Sequence, residues 1–191
     1  TNNKNPMDLE EILSHHIHMY INQLIDFYEN RGEGVKELLM ELNVDDEALL
    51  FNLYRLDYVV KVDDELIIEE LSPETYIHHS PISFTFGELY LELNPFYWHG
   101  CEFTIDKKFQ DFERLKSWAK TYMDEEDTFQ PDSNGLTGTI HSISYPTTEQ
   151  HRTKFTVDLG TASVNTFMTL LRCIQETGAN NVVISSFDLL N

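Results

Sequence analysis

The residues able to do chemistry fall in a few places. His15 and His18 are three apart on a helical pattern, with Glu11 a turn before and Asn22 a turn after. Such a face can present two imidazoles and a carboxylate to a metal ion. Cys101 beside His99, or a serine near His141 or Asp158, offers a nucleophile and a base. The run Asp158-Leu159-Gly160-Thr161-Ala162 leads into a helix start, where backbone N–H groups can hold an anion. Each has a plainer reading. His16 falls beside the apolar stripe of its helix, with His15 and His18 toward solvent, and His78-His79 sits in a Ser/Pro-flanked connector. Cys101 alternates in phase with Phe103 and Ile105, which points it into a core. The glycine run has neither Walker nor Rossmann spacing and no nearby Lys or Arg, and the chain has no C-x-x-C, H-E-x-x-H or EF-hand loop. No catalytic residue, metal ligand or cofactor is therefore assigned.

The stretch most able to organise the chain is residues 88–106. Leu89, Leu91 and Leu93 alternate with Glu88, Tyr90 and Glu92, and Cys101, Phe103 and Ile105 alternate with Glu102, Thr104 and Asp106. Period two, twice, predicts two strands, each with one buried and one wet face. Asn94-Pro95 and His99-Gly100 break the pattern, so a hairpin with Phe96, Tyr97 and Trp98 at its tip is expected. Aromatic side chains supply most contact energy at protein interfaces and charges supply steering. Tyr97, Trp98 and His99 are the expected anchors, with Glu88, Tyr90, Glu92 and Glu102 beside them.

Upstream, Leu9, Ile12, Leu13, Ile17, Tyr20, Ile21, Leu24 and Tyr28 predict one long amphipathic helix ending near Arg31-Gly32. Val35, Leu38, Leu39 and Leu42 fit a second helix, and Leu49, Leu50, Leu53 and Leu56 a third, capped by Asp45. Val59 to Val62, an Asp63-Asp64 turn, and Leu66 to Ile68 read as a small hairpin. Over residues 34–69 this order resembles a winged helix. Members that bind DNA meet phosphates with basic groups on the third helix and wing, whereas here those places hold Asp46, Glu47, Asp63, Asp64 and Glu65. Residues 1–72 carry 5 basic and 17 acidic side chains, so nucleic acid is excluded as a partner and protein contact is implied.

A Ser/Pro-flanked linker over 73–81 is expected to separate this module from a second one over 82–191. Phe109, Phe112, Leu115, Ala119 and Tyr122 mark a helix that ends in Asp124-Glu125-Glu126-Asp127, where acid opposes the helix dipole. Val164, Phe167, Leu170, Leu171 and Ile174 mark another, with Thr161 or Ser163 as N-cap. Strands are expected over 137–145, 153–158 and 182–187. Phe103-Thr104-Ile105-Asp106 and Phe155-Thr156-Val157-Asp158 echo each other before the two helices. The predicted fold class is α+β, with a ββα-ββα-β sheet, antiparallel or mixed, and helices on one face.

The chain has 191 residues, 13 Lys+Arg against 33 Asp+Glu, and a formal charge of -20. Such a field repels nucleic acid and anionic membranes and steers basic proteins inward. The two cysteines predict reduced thiols, and the lack of an apolar run long enough to span a bilayer or of a signal-like start predicts cytoplasmic residence. In size, charge and architecture the chain is similar to bacterial immunity proteins, which neutralise toxins, often nucleases. That resemblance implies a noncatalytic inhibitor with a basic protein partner. Two other classes fit the sequence: a regulator or adaptor using the winged-helix-like module, and a small hydrolase or metal protein built on Cys101/His99 or His15/His18.

Overall fold

A computed structural model of the chain describes residues 8–42 and 48–186. Helix α1 (Leu9–Glu29) starts where the Asp8 carboxylate accepts the Glu11 N–H at 2.7 Å, and its buried stripe is Leu9, Ile12, Leu13, His16, Tyr20, Leu24 and Tyr28. Those are the positions that the 3.6 period picks out, with His16 drawn into the stripe.

The next two expected helices are strands. Strands β1 (Val35–Glu41), β2 (Leu53–Val62) and β3 (Glu65–Glu69) form an antiparallel meander in that order. The Asp45 cap falls on residues 43–47, outside the described residues. Five consecutive residues of β2, Arg55 to Val59, are buried, so both faces of the strand are covered and no alternation shows in the sequence. The leucines of β1 and β2 happen also to fit a helical spacing; pairing through Leu38↔Leu56 and Met40↔Tyr54 decides for the strand. The hairpin of β2 and β3 is as expected, closed by Asp63 and Asp64, both at positive φ (48° and 70°), the geometry of a two-residue turn that suits sheet twist.

The rest of the chain is α+β as expected but runs βββα-βββα-β rather than ββα-ββα-β, because Gly87 at φ 59° turns residues 82–86 back on 89–93 as a separate strand and residues 147–149 form a short strand of their own. Strands β4 (Ile82–Phe86), β5 (Leu89–Leu93), β6 (Cys101–Ile105), β7 (Ser142–Ile143), β8 (Thr147–Glu149), β9 (Arg152–Asp158) and β10 (Asn181–Ser185) accompany helices α2 (Glu113–Met123) and α3 (Val164–Glu176). The sheet order is β4-β5-β10-β6-β9-β7, with β8 also on β9. It is mixed, since β10 runs parallel to β5 and antiparallel to β6. Here lies a second correction: β5 and β6 are strands but not a hairpin, because β10 lies between them. Two inter-strand spacings, roughly 10 Å, are bridged by the connection from Asn94 to Gly100. Local alternation fixes which face a residue takes, but not which strand is its neighbour. The echoed tetrapeptides do meet: Phe103 pairs with Phe155 across β6 and β9, their rings 5.3 Å apart.

Phe167 of α3 packs on Phe103, and α2 lies along α3 through Trp118, whose indole N–H donates to the Thr166 carbonyl. The opposite face of the sheet carries Ser83, Tyr90, Glu92, Thr104, Lys154 and Thr156, exposed or half-buried, with Glu102 and Ser185 buried among them. The meander joins this sheet at the β7 edge, through the Leu49↔Ser144 bridge and the Arg55 N–H donating to the His141 carbonyl at 2.8 Å. Helix α1 spans both parts. His16 stacks on Phe96 at 4.1 Å, while the Tyr28 hydroxyl donates to the Asp57 carbonyl at 2.9 Å. One hydrophobic core therefore runs from Leu9 to Ile184. No helix among the described residues is long and apolar enough to cross a membrane.

Candidate functional site

The loop from Asn94 to Gly100 is packed rather than displayed. Phe96 and Trp98 are buried, the first under His16, the second against Phe167 with its indole N–H donating to the Gly160 carbonyl at 2.9 Å. Trp98 is a core residue and not an anchor, because its ring has a hydrophobic seat and its one donor is satisfied. Tyr97 and His99 are half-buried; Tyr97 meets Tyr76 edge-on at 5.4 Å, and His99 lies 6.4 Å from Tyr20. Burial lowers the His99 pKa, against the pull of Asp57. Tyr90, Glu92 and Glu102 share the uncovered sheet face, related through Val183 and Ser185 of β10. The Tyr90 hydroxyl donates to Ser83 Oγ at 2.6 Å, Glu92 accepts from Asn94, and Glu102, itself buried, pairs with Lys154 at 2.8 Å. Glu88 is exposed at the β4–β5 turn. The expected anchors thus divide into a packed loop and a polar sheet face.

The chemical alternatives lose their footing. Cys101 is fully buried and its thiol pKa is pushed well up by burial, so no thiolate is available. Among the described residues no group of three His, Cys, Asp or Glu is placed to hold a metal ion. His15 and His18 are exposed, and His18 Nδ1 lies 2.6 Å from the Ser14 carbonyl of its own helix. His16 is buried with neither ring nitrogen bonded, and burial, helped by His79 and His15, lowers its pKa to about 3. The unfolded chain therefore takes up a proton near pH 6.5 that the folded chain refuses, so stability falls as pH drops from 6.5 toward 3. His16→Phe keeps the stack on Phe96 and removes both unpaired nitrogens. It is expected to raise stability by about 1 kcal/mol at pH 7 and to flatten that acid limb, read by urea melts at several pH values.

Among the described residues a dense cluster of ionisable groups forms that no local pattern in the sequence marks. His141, on the segment entering β7, is held between Glu37 of β1, whose Oε1 lies 2.7 Å from Nε2, and Asp57 of β2, whose Oδ1 lies 3.0 Å from Nδ1. The second contact lacks hydrogen-bond alignment and acts as an ion pair. Glu37 also receives the Thr161 hydroxyl at 2.5 Å, the Thr137 hydroxyl at 2.9 Å and the Thr137 N–H. It sits at φ 48°, a left-handed kink within β1 that turns its side chain inward. Gly160 is required opposite: a Cβ there would lie 2.3 Å from the His141 ring, and its φ is +48°. The turn at 158–162 meets Glu37 through the Thr161 hydroxyl alone, while the Gly160 N–H donates to Asp158 and the Thr161 and Ala162 N–H groups donate to the Thr139 and Leu159 carbonyls.

No family model, curated protein or solved structure matches this chain. Function must therefore come from geometry. Burial alone would lower the His141 pKa, but Asp57 and Glu37 raise it well above the usual value. Burial alone would raise Glu37 and Asp57, but His141 and their hydrogen-bond donors bring both down. The three form a charged clasp between the meander and the larger sheet. An imidazole between carboxylates can do acid–base work, yet Glu37, Asp57 and His141 are 1%, 2% and 0% exposed. No substrate atom reaches them, and their work is structural.

The surface has two other features. A cleft of about 290 Å³ is lined by Lys107, Lys108, Asp111, Arg114 and Cys173; Arg114 pairs with Glu176, and burial raises the Cys173 thiol, so no nucleophile and base converge there. The other feature is the β2–β3 arm. Of the large hydrophobic side chains, Leu66 is 70% exposed, Ile68 48%, Val62 45% and Ile67 41%. They stand on either side of Asp63, Asp64 and Glu65, with Glu69 next in the chain. Apolar side chains exposed together with an acidic rim mark an interaction surface.

Proposed function

We propose that this is a noncatalytic, acidic protein-binding protein that takes up a basic protein, the role played by bacterial immunity proteins against a toxin or enzyme. The observation that carries it is the β2–β3 arm, which displays Val62, Leu66, Ile67 and Ile68 to solvent inside an acidic rim. A protein of formal charge -20 draws basic partners by long-range steering, and the arm supplies apolar contact once they arrive. The reading is also favoured by the lack of an accessible acid–base pair at the buried clasp and by the sealed Cys101.

Leu66→Ser/Ile68→Ser tests it. Both side chains face solvent, so folding stability is expected to stay within about 0.5 kcal/mol of the parent. Capture of a basic protein from lysate of the source cell is expected with the parent chain at low salt, weakened at high salt, and lost with the double variant. Equal capture by both chains, or capture indifferent to salt, removes the arm and the charge respectively from the reading.

A further inference from the structure

The outer edge of β3 is unpaired. Its inner edge bonds to β2 through Tyr58↔Glu69, Val59↔Ile68, Val60↔Ile67 and Lys61↔Leu66, and among the described residues no backbone group bonds to the other side. The far edge of the meander is covered by side chains rather than by a strand: Lys36 of β1 donates to the Asn134 carbonyl, the Glu37 carboxylate binds Thr137, and Arg55 takes the Glu37 carbonyl. Strand β4 also ends a sheet, but its Ile82, Phe84 and Phe86 are half-buried. Among the described residues, β3 is the strand that joins an edge without backbone partners to apolar side chains exposed on both of its faces.

We propose that β3 takes up an extended segment of the partner as an added antiparallel strand. This rests on the reading of the chain as a binder of a basic protein, and it names the form of the segment. Glu65, Ile67 and Glu69 share one face of β3, and Leu66 and Ile68 the other. Glu69 already pairs with Arg31, whose Nε donates to it at 2.8 Å, so Glu65 is the stronger of the two acidic positions. A complementary strand has Lys or Arg opposite Glu65 and, in exchange with Arg31, opposite Glu69, and apolar β-branched residues opposite Leu66 and Ile68. A second copy of this chain does not satisfy that pattern. Antiparallel self-pairing centred on Ile67 sets Glu65 against Glu69 twice, and two chains of charge -20 repel. The flanking acids thus block homotypic pairing, the ordinary hazard of an open edge, and select a basic strand. In strand addition main-chain hydrogen bonds give affinity and alternate side chains give specificity.

The test uses the full chain and a capped synthetic peptide, Thr-Lys-Val-Thr-Val-Lys-Thr, followed by fluorescence anisotropy at low salt. Binding is expected, with slowed amide exchange at Leu66 to Ile68, and loss on replacing both lysines by glutamate. Two further peptides carry N-methyl groups at alternate residues, leaving side chains and charge unchanged. The one whose methyls block the amides facing β3 is expected to bind about tenfold weaker or worse per lost hydrogen bond, and the other to keep most of its affinity. Equal affinity of the two methylated peptides overturns strand addition while leaving a charge-driven arm, and with it the broader reading, standing. No binding by any peptide overturns the proposal, and the lysate capture then decides the broader reading by itself. Concentration-dependent dimers that Ile67→Lys abolishes overturn it in favour of a second copy.

Discussion

His141→Leu is expected to remove about 3–5 kcal/mol of folding free energy, because it leaves Glu37 and Asp57 buried without their cation. The shape of the site is nearly kept, so loss of volume is not the cause. Charge is, and a cycle separates the two. Glu37→Gln in the His141→Leu background removes one orphaned carboxylate while its amide oxygen can still accept from the Thr137 hydroxyl and N–H. The double variant is expected to be more stable than His141→Leu alone, a coupling that residues in one network show and distant residues do not. Urea unfolding of the four chains measures it. A loss below about 1 kcal/mol for His141→Leu would mean that the clasp holds nothing.

The same cluster sets a pH window. The His141 pKa is raised in the folded state, so its contribution is complete below the unfolded value of 6.5 and fades as pH rises through the folded one. Glu37 and Asp57 are depressed, so theirs is complete above the unfolded values of 4.5 and 3.8 and fades as pH falls. Asp158, lifted to about 7 by burial and by Asp57 and Glu37 against the pull of His141, adds a loss as pH climbs from 3.8 through 7. Glu70, whose carboxylate accepts the Asp57 N–H at 3.2 Å, is lifted to about 8 by burial and by Asp57 and adds a further loss from pH 4.5 upward. The clasp is therefore strongest near pH 4.5 and weakens as pH rises from there. His16 works against it on the acid side, so the His16→Phe chain is expected to show the broader optimum.

Which of these features a reader of the sequence can find depends on how local their cause is. Helix α1 announces itself because its apolar residues repeat with its own turn. Strands β5, β6, β9 and α3 do so for the same reason, down to the Ser163 cap that receives the Thr166 N–H. The meander hides, because β2 is buried on both faces and alternation vanishes. Strand neighbours hide too: nothing in residues 88–106 says that Val182 to Ile184 will come between Leu91 and Phe103. An aromatic run at a turn reads as display, and Phe96 and Trp98 are instead the seat of α1. The clasp has no local pattern, since Glu37 and Asp57 lie on separate strands, His141 lies far along the chain from both, and only tertiary contact gives them a common purpose. One signal was available: Gly160 before a helix, with no phosphate-binding partners, marks a close approach by something.

Arg55→Met is expected to cost about 3–5 kcal/mol as well, and the reason explains an oddity of α2. That helix ends on Asp124, with Glu125, Glu126 and Asp127 after it, acid placed where the helix dipole is already negative. Arg55, 1% exposed, supplies the missing charge. Its Nε donates to the Met123 carbonyl at 2.7 Å, Nη1 to the Glu37 carbonyl at 2.7 Å, and Nη2 to Asp127 at 2.9 Å. One guanidinium thus satisfies the end of α2, the kink in β1 and the acidic turn together. Burial alone would raise the Asp124 pKa, but the Phe129 and Thr128 donors and Arg55 hold it down. Lysine cannot replace this fork, having one point charge where three directions are needed, so Arg55→Lys is expected to lose nearly as much as Arg55→Met. Asp127→Asn, at a carboxylate 62% exposed, is expected to lose under about 1 kcal/mol. If Asp127→Asn instead matched Arg55→Met, the exposed ion pair would be the source of stability; the expected gap between them assigns it to the carbonyls and the buried Asp124 carboxylate that only a buried guanidinium reaches.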